Sequence, residues 1–423
     1  MIARSRWYGG ALALSLVLSA STAAEDAAKA PALMQGFPPP AEAQVTFSNW
    51  VLPPYSRWAF KHVESLLPSR PIYRGSGPVV PLPTASKKVV ARYEAAMGEG
   101  GNFDLGAYIR DNYVDAIVVL KDGKLVAEHY GDGQTAETRH IMYSVTKSVG
   151  GTLAEMLIAE GKLDDTKLVT DYVPELKDSG YGDATVRQVL DMLVALDFTE
   201  TYGDPYSSIS QFAYSAGLAP APEGVKVYPS MYDYLPTISK QGNHGEAWRY
   251  ISATTEVLAW IMSRASGQSW GELFEQRIYS KLGADRDASV IVDPHGIAFA
   301  AGGMSITARD GARFAQMIAN DGKFNGQQVV PAKVVKKIKQ GGDPTKFKSQ
   351  RPGGEQRSYF SQWYLDPEIS QLGAWGIHGQ AFQIDMEGGI VIVTQSSWPV
   401  AGTTELWDRR AAFERAVHKA LAD

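Results

Sequence analysis

The chain has 423 residues, 44% hydrophobic and 21% charged, which is ordinary globular composition with enough chain for two subdomains. Its formal net charge of −5 is spread with mixed sign and no basic run, which excludes a surface built to neutralise a nucleic-acid backbone. It has no cysteine, so disulfides, thiolate metal sites, a cysteine nucleophile and a lipidated N-terminal cysteine are all excluded.

At the N-terminus Arg4 and Arg6 precede an apolar run over 11–18 and small residues over 19–24. This pattern predicts a secretory signal peptide, residues 1–24, cut near Ala24–Glu25. The run is far shorter than the roughly 20 residues of a spanning helix, and no later segment reaches that length. The mature chain is therefore expected to be exported, periplasmic or secreted, with no membrane span. Residues 25–45, rich in Ala and Pro, read as a flexible lead-in.

Residues 116–120 form a β-rich run, Asp122-Gly123 is a tight-turn signal, and 125–130 is a second run, together predicting a hairpin. The next segments have helical apolar spacing. Residues 145–160 carry Val149, Leu153, Met156 and Leu157 on one face, and Gly161 sits where a C-cap belongs. Residues 255–265 repeat the pattern, and 308–319 form another helix. A second hairpin is predicted over 382–386 and 390–394, and a last helix over 404–421. Strands thus come from both ends of the chain and helices from its middle. The expected class is α/β (α+β): an antiparallel sheet flanked by helices, formed by 46–143 and 285–423, with an inserted, mainly helical subdomain over 144–284.

Three serine arrangements could carry chemistry. Gly267-Gln268-Ser269-Trp270-Gly271 fits the G-x-S-x-G elbow, but an elbow needs a strand before it, and here a helix precedes it. Ser269 with Glu272 instead makes a capping box. Ser144-Val145-Thr146-Lys147 is an S-x-x-K at a helix start, which puts both side chains one turn apart on one face. Unpaired N–H groups and the positive helix end favour an alkoxide there, and a desolvated amine can act as base. A capping serine with a solvated lysine fits the same four residues. Tyr250-Ile251-Ser252 offers a phenol that an ammonium could shift down and use as a proton relay. It equally describes a packed tyrosine followed by a capping serine. The seven histidines form no H-E-x-x-H or similar pair, so neither metal nor cofactor is expected.

Taken in order, these segments resemble the class C β-lactamase-like serine hydrolases, and within them the 6-aminohexanoate-dimer hydrolases and their carboxylesterase relatives. The resemblance runs from about Asn112 to the C-terminus. Besides Tyr143-Ser144-Val145-Thr146-Lys147-Ser148 and Tyr250-Ile251-Ser252, it rests on Tyr202-Gly203-Asp204-Pro205 and Gly302-Gly303 with Thr307-Ala308-Arg309-Asp310. Gly376-Ile377-His378-Gly379-Gln380 and Ser396-Ser397-Trp398-Pro399 complete it. The resemblance implies the β-lactamase (penicillin-recognising) fold and a small linear amide or ester as substrate. Ser144 would be acylated, Lys147 and Tyr250 would shuttle its proton, and the N–H groups of Ser144 and Ile377 would form the oxyanion hole. Tyr202 would close over substrate. Ser252, His378 and Ala301 would line the substrate site, with His378 orienting the strand end. Ala301 and Ala381 are smaller and less polar than their counterparts, and the third motif lacks the Lys-Thr-Gly with which β-lactamases hold a carboxylate. A D-alanyl-D-alanine peptidase, a weak β-lactamase, or a non-catalytic binding protein on the same fold are the competing expectations.

Overall fold

The computed structural model describes residues 32–98, 100–347, 356–387 and 389–422. The expected signal peptide and residues 25–31 of the lead-in lie outside them. Residues up to Val45 form one unit, in which the described part has a single short 3-10 turn, Ala41–Ala43; Thr46 onward forms the other.

The second unit is built on strands in this chain order: β1 (Ser69–Ile72), β2 (Val114–Lys121), β3 (Lys124–Tyr130), β4 (Arg139–Ile141), β5 (Ala288–Ile291), β6 (Met304–Thr307), β7 (Lys323–Phe324), β8 (Gln327–Gln328), β9 (Ser358–Phe360), β10 (Trp363–Asp366), β11 (Gln371–Gly376), β12 (Gln380–Asp385) and β13 (Ile390–Ser396). Among the described residues the main sheet has seven antiparallel strands in the order β3-β2-β13-β12-β11-β10-β9. A smaller sheet runs β1-β5-β6-β4. The Asp122-Gly123 turn has φ of +51° and +75°, the double left-handed geometry that a two-residue hairpin turn requires.

Both faces of the main sheet are covered. Val118, Leu120, Val391 and Val393 point into one core, and the alternate residues Ile117, Val119, Ile390 and Ile392 into another. The first core receives the Ala308–Ala319 helix, whose Gly311 lets the Phe382 ring approach to within 2.8 Å of where a Cβ would stand. The second receives the Thr404–Leu421 helix through Phe413, stacked on Tyr108 at 4.5 Å. Burial on both faces explains why β2 reads as a near-continuous apolar run.

Between β4 and β5 the described chain is helices, turns and isolated bridges. The Val145–Ala159 helix is buried from Val145 through Leu157. Its Gly150-Gly151 pair permits a close approach: a Cβ on Gly151 would fall 1.9 Å from the Ser361 carbonyl oxygen. Ser148 Oγ donates to the Gln362 carbonyl at 2.7 Å across the same contact, which fixes this helix against the β9–β10 turn. Gly161 (φ +71°) ends the helix as expected, and Gly267 (φ +71°) ends Ser252–Ser266. Ser269 and Glu272 form the expected capping box on Trp270–Arg277, and Ser269 Oγ also accepts from Arg70. Ser269 is thus occupied as a cap.

Candidate active site

β4 delivers the chain to Tyr143, whose φ of +44° is a left-handed conformation that an aromatic residue adopts only under tertiary constraint. The constraint is visible. Its ring stacks on Trp50 at 6.5 Å and meets Phe60 and His378 at 5.2 Å each. This kink sets Ser144 at the start of the Val145–Ala159 helix. The Ser144 hydroxyl does not cap that helix. It is hydrogen-bonded to Lys147 Nζ at 2.9 Å, and Lys147 Nζ also donates to the Ala301 carbonyl at 2.6 Å. Lys147 is only 2% exposed. Burial pushes its ammonium down from 10.5 to about 8, against the opposing pull of Glu200 and Glu256. The solvated-lysine alternative therefore fails, and the pair has the geometry of a serine beside its base.

Tyr250 places its ring 5.1 Å from Lys147 Nζ, and its hydroxyl interacts with the side chains of Ser144 and Ser252. The expected downward shift of this phenol is not found. Burial raises it well above its ordinary value, with Tyr364 and Glu200 adding to the effect, and the hydrogen bonding with Ser144 and Ser252 only partly opposes this. The phenol is therefore held in its protonated form, and of the two groups it is the amine whose proton burial loosens.

Ser252 does not cap its helix either. The N-cap is Ile251, and Ser252 is the first helical residue. The reason is Glu200, which sequence reasoning missed. Its carboxylate accepts the Ser252 N–H at 3.0 Å, the Ser252 hydroxyl, and the Tyr202 hydroxyl at 2.7 Å. Tyr202 is 38% exposed at the mouth of the site. Glu256 was also missed. One turn after Ser252, fully buried, it accepts the Ala301 N–H at 2.7 Å, so it holds the segment whose carbonyl receives Lys147. Burial raises its carboxyl to about 8. An acid inside the apolar stripe of 255–262 was the signal for it; Glu200 sits in an irregular loop and gave none.

Ile377 follows the end of β11. A Cβ on Gly376 would lie 2.6 Å from the Met142 carbonyl and 3.1 Å from the Ser144 nitrogen, so glycine alone lets this strand end reach the nucleophile. His378 (φ +58°) is buried, its Nδ1 2.7 Å from the Trp398 carbonyl and its N–H on the Ala401 carbonyl at 2.9 Å. Burial lowers its imidazole to about 4, so it is neutral and carries its proton on Nδ1. It ties the strand end to the 396–401 segment. Ala301 acts through its backbone. Ala381 pairs with Trp375 and Thr394 inside the sheet and lines neither cavity at Ser144, so its small size does not reshape the pocket.

Two cavities, of about 780 Å³ and 510 Å³, reach Ser144, and both also touch Tyr202 and Ile377. Among the described residues no group of three His, Asp or Glu side chains could hold a metal. The arrangement brings together a serine hydroxyl, an amine whose ammonium form burial disfavours, a phenol, and backbone N–H groups at a helix start, a set able to support acyl transfer.

Residues 111–415 match the beta-lactamase family. The chain is 36% identical over 391 residues to the 6-aminohexanoate-dimer hydrolase of Paenarthrobacter ureafaciens, a match covering 91% of this chain and 96% of that one. The solved structure of a candidate 6-aminohexanoate-dimer hydrolase from Bacillus anthracis aligns with a TM-score of 0.80 at 28% identity, covering 90% of this chain and 98% of that one. EstCE1, a hydrolase with promiscuous acyltransferase activity, shares the fold at a TM-score of 0.58 and 14% identity, over 79% of this chain and 99% of its own. With its sheet order, its Ser144–Lys147 pair and a sequence match over most of its length, this chain belongs to the beta-lactamase family.

Proposed function

We propose that this protein is a serine hydrolase of small linear amides and carboxylic esters, working through an acyl-Ser144 intermediate. The observation that carries the reading is the buried Lys147 amine 2.9 Å from Ser144 Oγ. Lys147 takes the serine proton, Tyr250 passes it to the leaving heteroatom, and the N–H groups of Ser144 and Ile377 hold the oxyanion. Tyr202 adds a hydroxyl at the mouth of the site. The named activity of the Paenarthrobacter relative supports amides among the substrates. The motif at the end of β11 reads Gly376-Ile377-His378, with a neutral imidazole and without the Lys-Thr-Gly that holds a β-lactam carboxylate; this favours linear amides and esters over β-lactams.

A fluorophosphonate probe, run beside turnover of short acyl esters, linear amides and nitrocefin, tests the reading. Wild type and Ser269→Ala should be labelled and active. Ser144→Ala should fold, escape labelling and lose on the order of 10⁶ in kcat. Activity that survives Ser144→Ala and dies with Ser269→Ala overturns it. The reading includes export: residues 1–24 act as the signal, supported by Arg4 and Arg6 ahead of the apolar run. Protein recovered outside the cytoplasm should then begin near Glu25, and an intact Met1 on that material refutes cleavage.

A further inference from the structure

Ser144 stands where two cavities meet that differ in the charged side chains lining them. The larger is walled by aromatic rings, among them Trp248, Tyr364 and Trp375, and carries four charged side chains: Glu200, Arg249, Arg357 and Asp366. The smaller is walled by Trp50, Leu52, Phe212, Leu218 and Phe299. Among its described lining residues Lys147 is the one charged side chain, and that amine must be neutral to serve as base. His378, also in the wall, is neutral. A cation placed there would lose its hydration with no carboxylate among the described lining residues to pair with.

The orientation of substrate follows from which wall holds which catalytic group. Ser144 and Ile377 touch both cavities, so a carbonyl whose oxygen rests on their N–H groups directs its two substituents into different cavities. Tyr250, which must protonate the leaving group, lines the larger cavity and not the smaller. The geometry points to the smaller cavity as an acyl subsite for a neutral, apolar acyl group, aryl or medium-length alkyl, with polar or charged leaving groups seated in the larger. This assignment rests on the reading that Ser144 is acylated. In the step it describes, Ser144 Oγ bonds to the carbonyl carbon and the bond to the leaving heteroatom breaks. The serine proton reaches that heteroatom through Lys147 and Tyr250. The apolar acyl group stays on Ser144 until water displaces it. An acyl chain ending in an ammonium, as in a 6-aminohexanoyl group, is then a poor donor here, which sets this chain apart from its Paenarthrobacter relative.

The test uses p-nitrophenyl esters of acetate, butyrate, hexanoate, octanoate and 6-aminohexanoate on the purified full chain. In wild type kcat/KM should rise about fourfold per methylene until the cavity fills. Hexanoate should exceed 6-aminohexanoate by a hundredfold or more. Ala213, half-buried on the Ser208–Ser215 helix and in the wall of the smaller cavity, allows two variants. Ala213→Trp should cut the octanoate-to-acetate ratio of kcat/KM at least tenfold. Ala213→Asp should raise the ratio of 6-aminohexanoate to hexanoate at least tenfold. If Ala213→Trp fails to fold, the wild-type series and the aspartate variant still decide. A flat chain-length profile, or equal use of hexanoate and 6-aminohexanoate, with Ser144 still labelled by fluorophosphonate, overturns the subsite and leaves the hydrolase reading standing. No turnover of any ester and no labelling overturns both.

Discussion

Lys147→Arg keeps a positive charge beside Ser144 and removes the base. With its amine held at about 8, wild type has roughly a tenth of its Lys147 neutral at pH 7, about 300-fold more than a lysine at the ordinary 10.5. The sign follows from that depression. The neutral amine accumulates as pH rises through 8, so wild-type kcat/KM should climb about tenfold from pH 7 to a plateau above pH 9. A guanidinium stays protonated throughout this range. Its fork also cannot reproduce one nitrogen held at 2.9 Å from Ser144 Oγ and 2.6 Å from the Ala301 carbonyl. Lys147→Arg should therefore fall ~10²- to 10⁴-fold, as low as Lys147→Ala, with no climb between pH 6 and 10. The assay is ester hydrolysis over that range, with fluorophosphonate labelling rates as a second readout free of deacylation. Near-wild-type turnover in the arginine variant, or a wild-type profile flat through pH 7 to 9, would refute the general-base role.

Gly376→Ala should drive the strand end away from the nucleophile, since its Cβ would meet the Met142 carbonyl at 2.6 Å and the Ser144 nitrogen at 3.1 Å. The expected loss is ~10²- to 10³-fold in kcat with little change in KM, as for a misplaced oxyanion donor, and an unchanged kcat would argue against Ile377 in that role. Glu256→Gln keeps an acceptor for the Ala301 N–H but removes a carboxylate that raises Lys147. The upper part of the acid limb of kcat/KM, near pH 8 where Glu256 itself ionises, should then move to lower pH; Glu200, Asp293, Tyr232 and Tyr250, the other titratable groups around this pair, are left intact. A limb that stays where wild type has it shows that Glu256 exerts no field on the base.

The parts of the fold governed by local chemistry were legible in the sequence. Two β-rich runs around Asp122-Gly123 marked the first hairpin, and helical spacing with a terminal glycine marked the helices at Val145 and Ser252. The order of the sheet was not legible. β1, β5, β6 and β9 are only three or four residues long, too short for a period, and β11 reads Gln-Leu-Gly-Ala-Trp-Gly without alternation. In the site, Ser144 and Lys147 could be found because their relation is one helical turn. Glu200 could not, because its partners Ser252 and Tyr202 meet it only through tertiary contact. The same carboxylate explains why Ser252, which the sequence also allowed as a cap, does not cap its helix; at Tyr250 burial outweighs the neighbouring charges. Local sequence carries no information about which distant charge will lie across a cavity.

The pairing of β2 with β13 has a consequence for synthesis. The hairpin of β2 and β3 is complete once Tyr130 is made, but the neighbour that covers β2 starts at Ile390. Until then a nascent chain carries an apolar ribbon with one bare hydrogen-bonding edge, the kind of surface that adds foreign strands. Pairing over so long a separation forms late, because loop closure must precede the contacts that reward it. A chaperone that holds the chain extended until its last strands emerge would guard against cross-pairing between unfinished copies at that edge.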